Sequence, residues 1–358
     1  MRILITGVCG FVGSTLARAW LDSGCGYKII GIDNLSRRGS HVNYTALRAS
    51  GIDVIHGDIR CASDLDSLPP VDFLIDAAAI PSVLAGVDGK TNSRQLVEHN
   101  LLGTVNMLEY CKRHGAGLIL LSTSRVYSLE PLANVRLEIE KGAFQPVIDD
   151  TSPPGLSKHG VSEAFTTAAP VSLYGATKLA SETLALEYGA AFEFPVWVNR
   201  CGVMAGPRQF GHAEQGIFAY WIHAWHAGRP LKYVGFGGHG YQVRDALSPR
   251  DLLAVLDQQM AFSGRPEHRI FNFAGGVENA TSLYNLSAWC ERRFGPRKVE
   301  CQDADRPFDI PWMVLDCRRA ASMWNWQPAT TLKTLLGEIA DFAEANPNWL
   351  DIVNGLPA

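Results

Sequence analysis

The sequence predicts an α/β protein, a doubly wound parallel sheet with a smaller C-terminal α/β lobe. Three observations carry that expectation. Short apolar runs of strand length alternate with helical periods through the first half of the chain. The first run ends in a glycine-rich turn that opens a helix, an arrangement that lets backbone approach a pyrophosphate. Tyr174 and Lys178 stand at the start of a long amphipathic run, and spacing four puts both on one helix face.

Composition narrows the function. A chain of 358 residues, 47% hydrophobic and 19% charged, can bury one large core and a smaller one. The net charge of −4 and the lack of a dense basic run give no reason to expect a nucleic-acid partner. The chain opens directly on a strand, so no signal peptide is expected. No apolar stretch is long enough to span a bilayer, so no membrane partner is expected either. The 8 cysteines are scattered without a Cys-x-x-Cys pair, which suits reduced thiols in a cytoplasmic protein.

The first strand is Arg2 to Thr6. Gly7, Gly10 and Gly13 follow it, with Phe11 and Val12 between, and a helix runs from Ser14 to Asp22 with Gly24 as its stop. This turn is the expected pyrophosphate site. A second strand, Lys28 to Ile32, ends in Asp33. A carboxylate there accepts both ribose hydroxyls of NAD and repels a 2′-phosphate. Asn34, Ser36 and Arg37 lie just beyond, and Arg37 with Arg38 leaves NADP as the alternative.

The third strand, Asp53 to His56, leads to Asp58 and Ile59. The fourth, Val71 to Asp76, leads to Ala77, Ala78 and Ala79, whose small side chains would let backbone lie against the dinucleotide or simply cap a helix. A long helical period from Ser93 to His114 carries Asn100. The fifth strand, Gly117 to Leu121, runs into Ser122 and Thr123, and the Thr123 hydroxyl can both donate and accept a hydrogen bond. Ser128 to Val171 is then too long for a plain connector and is expected to cover the active site.

The chemistry centres on Tyr174. A phenol with a pKa of about 10 is a poor base at neutral pH, and a neighbouring ammonium favours its ionised form. The pair can therefore take a proton from an alcohol. One other cluster, Trp221, His223, Trp225 and His226, lies on a single apolar run. It lacks a third ligand of suitable type nearby, so packing is expected there and no metal.

Thr6 to Gly13, Asp33, the strand Leu118 to Thr123, Tyr174 and Lys178 together resemble the extended short-chain dehydrogenase/reductase family. The resemblance implies a Rossmann domain holding NAD over residues 1–197, with the 128–171 insertion near the active site. Residues 198–358 would mainly form a nucleotide-sugar lobe, part of it returning to the sheet. It implies Thr123, Tyr174 and Lys178 as catalytic residues, the last two also touching NAD. Asp58 and Ile59 would meet adenine, and Asn100 matches the family's helix pattern. Ser82 and Ser124 would face the sugar.

Departures from the pattern are informative. Asp76 stands where the family often has His, and Val203 replaces the usual Asn on the nicotinamide side. Ser124 and Arg125 stand where the family's 4,6-dehydratases carry Asp-Glu and its decarboxylases a Glu, so both eliminations lose an acid. The long insertion, Asn34 to Gly39, Gly206 to Phe210 with Gln215-Gly216, Gly237 to Asp245, and Arg306 with Asp309 resemble the CDP-paratose 2-epimerase branch. That resemblance implies substrate contacts from Arg208, Gln209, Gln215, Arg244, Arg306 and Asp309, since a guanidinium fork suits a diphosphate.

The function so implied is an NAD-dependent epimerase of a nucleotide-diphosphate sugar, inverting carbon 2 through a transient ketosugar and working as a homodimer or homotetramer. A 4-epimerase is the alternative reaction. A non-catalytic NAD-binding regulator is the alternative class, and the presence of both Tyr174 and Lys178 weighs against it.

Overall fold

A computed structural model describes residues 1–354 apart from 88, 90, 91, 213 and 305, so residues 355–358 of the expected lobe lie outside the described residues. The chain divides into two compact units. The first comprises residues 1–126, 173–201 and 249–271, and the second comprises 127–172, 202–248 and 272–358.

The first unit is built on β1 (Arg2–Thr6), β2 (Lys28–Asp33), β3 (Asp53–His56), β4 (Phe73–Asp76), β5 (Gly117–Thr123) and β6 (Val196–Cys201), with β7 (Ile270–Phe273) running on past its boundary. The sheet order is β7-β6-β5-β4-β1-β2-β3. Strand β1 is parallel to β2 on one side and to β4 on the other, so the strand order reverses there, and ligands of such sheets bind at that reversal. Ile3, Leu4 and Ile5 have no exposed surface, because helices cover both faces of a parallel sheet and every position must be apolar.

The helices follow the sequence closely. Helix α1 (Phe11–Ser23) stops at Gly24, whose φ of 66° is the left-handed cap a side chain disfavours. Helix α2 is Ser40–Ala49, α3 is Gly103–His114, α4 is Ser172–Ala191 and α5 is Leu253–Ala261. The expected helix from Ser93 to His114 is interrupted. A five-residue π-helical stretch, Glu98–Leu102, precedes α3 and holds Asn100. Leu4, Ile30, Leu74, Leu118 and Val196 form one core with Met107, Leu108 and Ala185.

Residues 249–271 join this unit through polar side-chain bonds. The indole of Trp20 donates to Asp257 at 2.9 Å, and Asn199 and Gln259 exchange two amide bonds of 2.9 Å.

The second unit has a small mixed sheet. Its strand Val243–Leu247 pairs in parallel with Val203–Met204 and Trp312–Met313 and antiparallel with Ala280–Ser282. Trp221 stacks on Tyr233 with ring centres 5.5 Å apart, and both rings bond the Ser287 hydroxyl. The insertion belongs to this unit rather than to residues 1–197. The backbone N–H of Phe144 donates to Tyr241 at 2.9 Å, that of Val161 donates to Val314 at 2.8 Å, and the Tyr127 hydroxyl donates to Asn272 at 2.7 Å. Those partners all lie more than 90 residues further along, which is why a boundary drawn from the sequence placed the insertion with its neighbours in the chain. Among the described residues, no helix is long and apolar enough to cross a membrane.

Candidate active site

Helix α4 places Tyr174 and Lys178 one turn apart, 7% and 2% exposed respectively. Strand β5 runs two residues beyond its expected end and brings Thr123 to its tip. The Thr123 hydroxyl accepts the Arg125 N–H at 3.2 Å, so its own proton is free to go to the phenol oxygen, with which it is hydrogen-bonded. Burial pushes the Tyr174 phenol up to about 12. Thr123 and Arg125 work against that rise, while Cys201 and Asp76 add to it. Cys201 is beside the phenol because β6 pairs it with Thr123 in register.

Lys178 faces a carboxylate. Its Nζ lies 3.9 Å from Asp76 Oδ2. The other oxygen of Asp76 accepts the Thr6 hydroxyl at 3.0 Å and the Ala78 N–H at 3.2 Å. Burial raises the Asp76 carboxyl above its usual range, against the pull of Lys178 and these donors.

One turn beyond Lys178, Glu182 makes a second buried pair. Both of its oxygens accept the Arg200 Nε at 3.1 Å, and one accepts an Nη at 2.7 Å. The Ser122 hydroxyl also donates to Glu182. Glu182 and Arg200 escaped the sequence reading, although a Glu four residues after Lys178 was a visible cue. Asp76 was read there only as a departure.

The glycine turn fits a dinucleotide. Gly7 has a φ of 62°, and a Cβ there would come within 2.8 Å of the Ala78 backbone. A Cβ on Gly13 would lie 2.5 Å from the Gly7 carbonyl, so the turn and the start of α1 close up only as glycine. Gly10 caps α1 with no side-chain hydrogen bond of its own, where Phe11 and Val12 begin the helix. Ala77, Ala78 and Ala79 stay partly exposed beside the turn.

Asp33 sits at the end of β2 and accepts the Cys9 N–H at 2.9 Å and the Leu35 N–H at 2.8 Å. Burial still raises its carboxyl. Burial also lowers the Arg37 guanidinium from its ordinary value. Asn34 bridges to Asp58 at 3.0 Å and accepts the Ser36 N–H at 3.0 Å. Asp58 is clasped by Arg60 through three hydrogen bonds, which hold its carboxyl far below the usual range. Ile59 is 6% exposed and packs in the core, against the face where Gly103 has no side chain.

Asn100 is more than a polar helix residue. It exchanges hydrogen bonds with the backbone of Ile80 at 2.9 and 3.2 Å and donates to Thr177 at 3.2 Å. It thereby ties the turn after β4 to α4. Ser82 accepts the Leu84 N–H at 3.2 Å, and Ser124 is buried.

The remaining expected residues lie in the second unit. Val203 pairs with Ala246 in the small sheet. Arg208 has a φ of 65° and its guanidinium lies over the Phe342 ring, 5.5 Å from the centre. Arg244 and Asp309, both expected to meet substrate, bond each other at 2.8 Å, and Asp309 also accepts its N–H from Ile310. The backbone carbonyl of Arg306 accepts the Asp309 N–H at 3.2 Å, which closes that turn. Gln209 donates to Met204 at 2.7 Å, while its amide oxygen and that of Gln215 are buried without a partner among the described residues. Two unpaired buried acceptors next to Gly216 are suited to donors from a ligand.

His223 is buried edge-on to Phe342, and burial pushes its imidazole down to about 4, so it is neutral near pH 7. Among the described residues, no group of three or more His, Cys, Asp or Glu side chains could hold a metal.

Comparison with known proteins places this geometry. CDP-paratose 2-epimerase of Salmonella typhi is 26% identical over 96% of this chain and 100% of its own length. UDP-glucose 4-epimerase of Mycolicibacterium smegmatis is 28% identical over 96% of this chain and 98% of its own. The solved UDP-glucose 4-epimerase of Thermotoga maritima shares the fold with a TM-score of 0.76 at 21% identity, over 97% of this chain and 99% of that one. The UDP-glucuronic acid 4-epimerase of Bacillus cereus does so at 0.74 and 24%, over 96% and 99%. The model of one sequence family matches residues 3–274, well over half of the chain, and on that match the protein belongs to the NAD dependent epimerase/dehydratase family.

Proposed function

We propose that the protein is an NAD-dependent epimerase of a nucleotide-diphosphate sugar and inverts carbon 2. The observation that carries this reading is the set Thr123, Tyr174 and Lys178, with the hydroxyl of Thr123 bonded to the phenol and no carboxylate in the Thr123-Ser124-Arg125 run.

NAD, when bound, would accept a hydride from the sugar carbon and return it. Gly7, Gly10 and Gly13 would let the backbone close on its pyrophosphate, and Asp33 would take its ribose hydroxyls in exchange for the Cys9 and Leu35 N–H groups. Tyr174 Oη, as phenolate, removes the proton from the sugar hydroxyl, and the Lys178 ammonium favours that ionised form. Thr123 Oγ1 donates to the oxygen on which charge develops. The ketosugar then turns and its oxygen is reprotonated by Tyr174, which completes inversion.

Proton transfer at carbon, which dehydration and 5-epimerisation require, needs a base that this set does not provide. Asp76 and Glu182, the carboxylates described beside this set, are each paired with a cation. The choice of carbon 2 over carbon 4 rests on the likeness of Arg208 to Gly216 to the 2-epimerase branch.

The test is incubation with a panel of nucleotide sugars in deuterated and ordinary water, followed by NMR of the products. The expected product is inverted at carbon 2 and carries no solvent deuterium on the ring. Inversion at carbon 4 would replace the assigned carbon and leave the chemistry in place. Ring deuterium or loss of carbon dioxide would remove the mechanism.

A further inference from the structure

We propose that Asp76 is a positioning residue for Lys178: its buried carboxylate, fixed by β1, is the counter-ion that anchors the ammonium and limits how readily the Tyr174 phenol ionises. The inference rests on Tyr174 and Lys178 acting as the acid–base pair of the proposed reaction.

The sheet register builds the arrangement. Strands β1 and β4 are parallel neighbours, and Thr6 lies directly opposite Asp76. Thr6 Oγ1 and the Ala78 N–H both occupy Oδ1, so the carboxylate cannot swing away. Oδ2 is left facing Lys178 Nζ at 3.9 Å, with side-chain exposures of 1% and 3%. That distance is an ion pair without a direct hydrogen bond, and the ammonium keeps its donors for other acceptors. A buried ammonium needs an opposite charge, and among the described residues Asp76 supplies it.

The same carboxylate opposes the chemistry. Alone, the Lys178 charge would favour the phenolate in full. With Asp76 beside it, the two charges partly cancel at the phenol oxygen. The surrounding groups do not alter that balance near neutral pH. Thr123 from β5, Arg125 from the turn after it and Cys201 from β6 face the phenol, while Thr6 and Cys111 of α3 face Asp76. Burial pushes both thiols up, so they stay uncharged, and a guanidinium stays charged throughout. Asp76 is thus the group whose charge can be removed to expose what Lys178 and Arg125 do together at the phenol.

Asp76→Asn keeps the size and an oxygen for Thr6 and Ala78 while removing the charge. The full chain loaded with NAD is labelled at the tyrosine Cζ with carbon-13 and titrated by NMR between about pH 8 and pH 13, a range that brackets a phenol pushed up to about 12. The Tyr174 resonance is identified by its loss in Tyr174→Phe. The midpoint in Asp76→Asn is expected to fall by about one unit, and the acid limb of turnover to move with it. A midpoint that is unchanged, raised, or beyond the range in both proteins overturns the proposal. A purely structural Asp76 would lower the melting temperature and leave the midpoint in place. Should the amide variant not fold, Asp76→Ser removes the same charge and is read in the same way. The titration needs no sugar, so a fallen midpoint with no epimerisation would sink the proposed reaction and leave the role of Asp76 standing.

Discussion

Helix α4 carries two buried ion pairs one turn apart, and they are built for different ends. At Glu182 every carboxylate oxygen is taken by the Arg200 fork or the Ser122 hydroxyl, with contacts down to 2.7 Å. At Lys178 the nearest carboxylate oxygen stands 3.9 Å away, and only its opposite oxygen is hydrogen-bonded to the strand beside it. A saturated pair has one geometry and fixes the helix against β5 and β6. An unsaturated pair keeps donors and charge in reserve, which suits the role proposed for Lys178 beside the Tyr174 phenol. Burial alone separates nothing here, since all four side chains are almost fully enclosed.

The contrast has consequences in order of size. Tyr174→Phe, which removes only the ionisable oxygen at the unsaturated end, should lower turnover by at least about a hundredfold while the bound dinucleotide is retained. Turnover assays and the dinucleotide released on denaturation check both halves. Recovery of mainly NADP from that sample would turn attention from Asp33 to Arg37 and Arg38.

Glu182→Ala removes the carboxylate that pairs with the buried Arg200 guanidinium at the saturated end. It should cost about 3–5 kcal/mol in denaturant unfolding. A loss below about 1 kcal/mol would mean that Arg200 finds water, and that the pair does not fix the helix.

Arg200→Lys keeps the charge but loses the two-pronged geometry. A smaller cost is expected, about 1–2 kcal/mol, with the pH dependence of turnover unmoved because this end does not face the phenol. A shifted pH profile in Arg200→Lys would erase the distinction between the two ends.

What could be read in the sequence shares one property: its meaning lies within a few residues. The glycine turn, Asp33 at the end of β2, Thr123 after the fifth strand and the Tyr174–Lys178 spacing are all local, and the structure extends β5 two residues to carry Thr123. The Glu182–Arg200 pair joins positions on a helix and a strand, and neither residue type is unusual there. Asp76 gains its meaning from Thr6, 70 residues away, through a strand register. The insertion looks like a cover for the active site when judged by length, yet its hydrogen bonds run to Tyr241 and Val314. Arg244 and Asp309 were each legible as polar groups in a substrate motif. That they are bonded to each other follows only from the packing of the second unit, and binding a diphosphate there would have to exchange one partner for another.

The central claim is that one hydride leaves and returns to the same carbon under the control of Tyr174. The most direct measurement uses a nucleotide sugar bearing deuterium at carbon 2, in ordinary water, with product analysed by NMR and mass spectrometry. The account predicts an inverted product that retains the deuterium at carbon 2, and no product from Tyr174→Phe. Inverted product that has lost the label to water would contradict it.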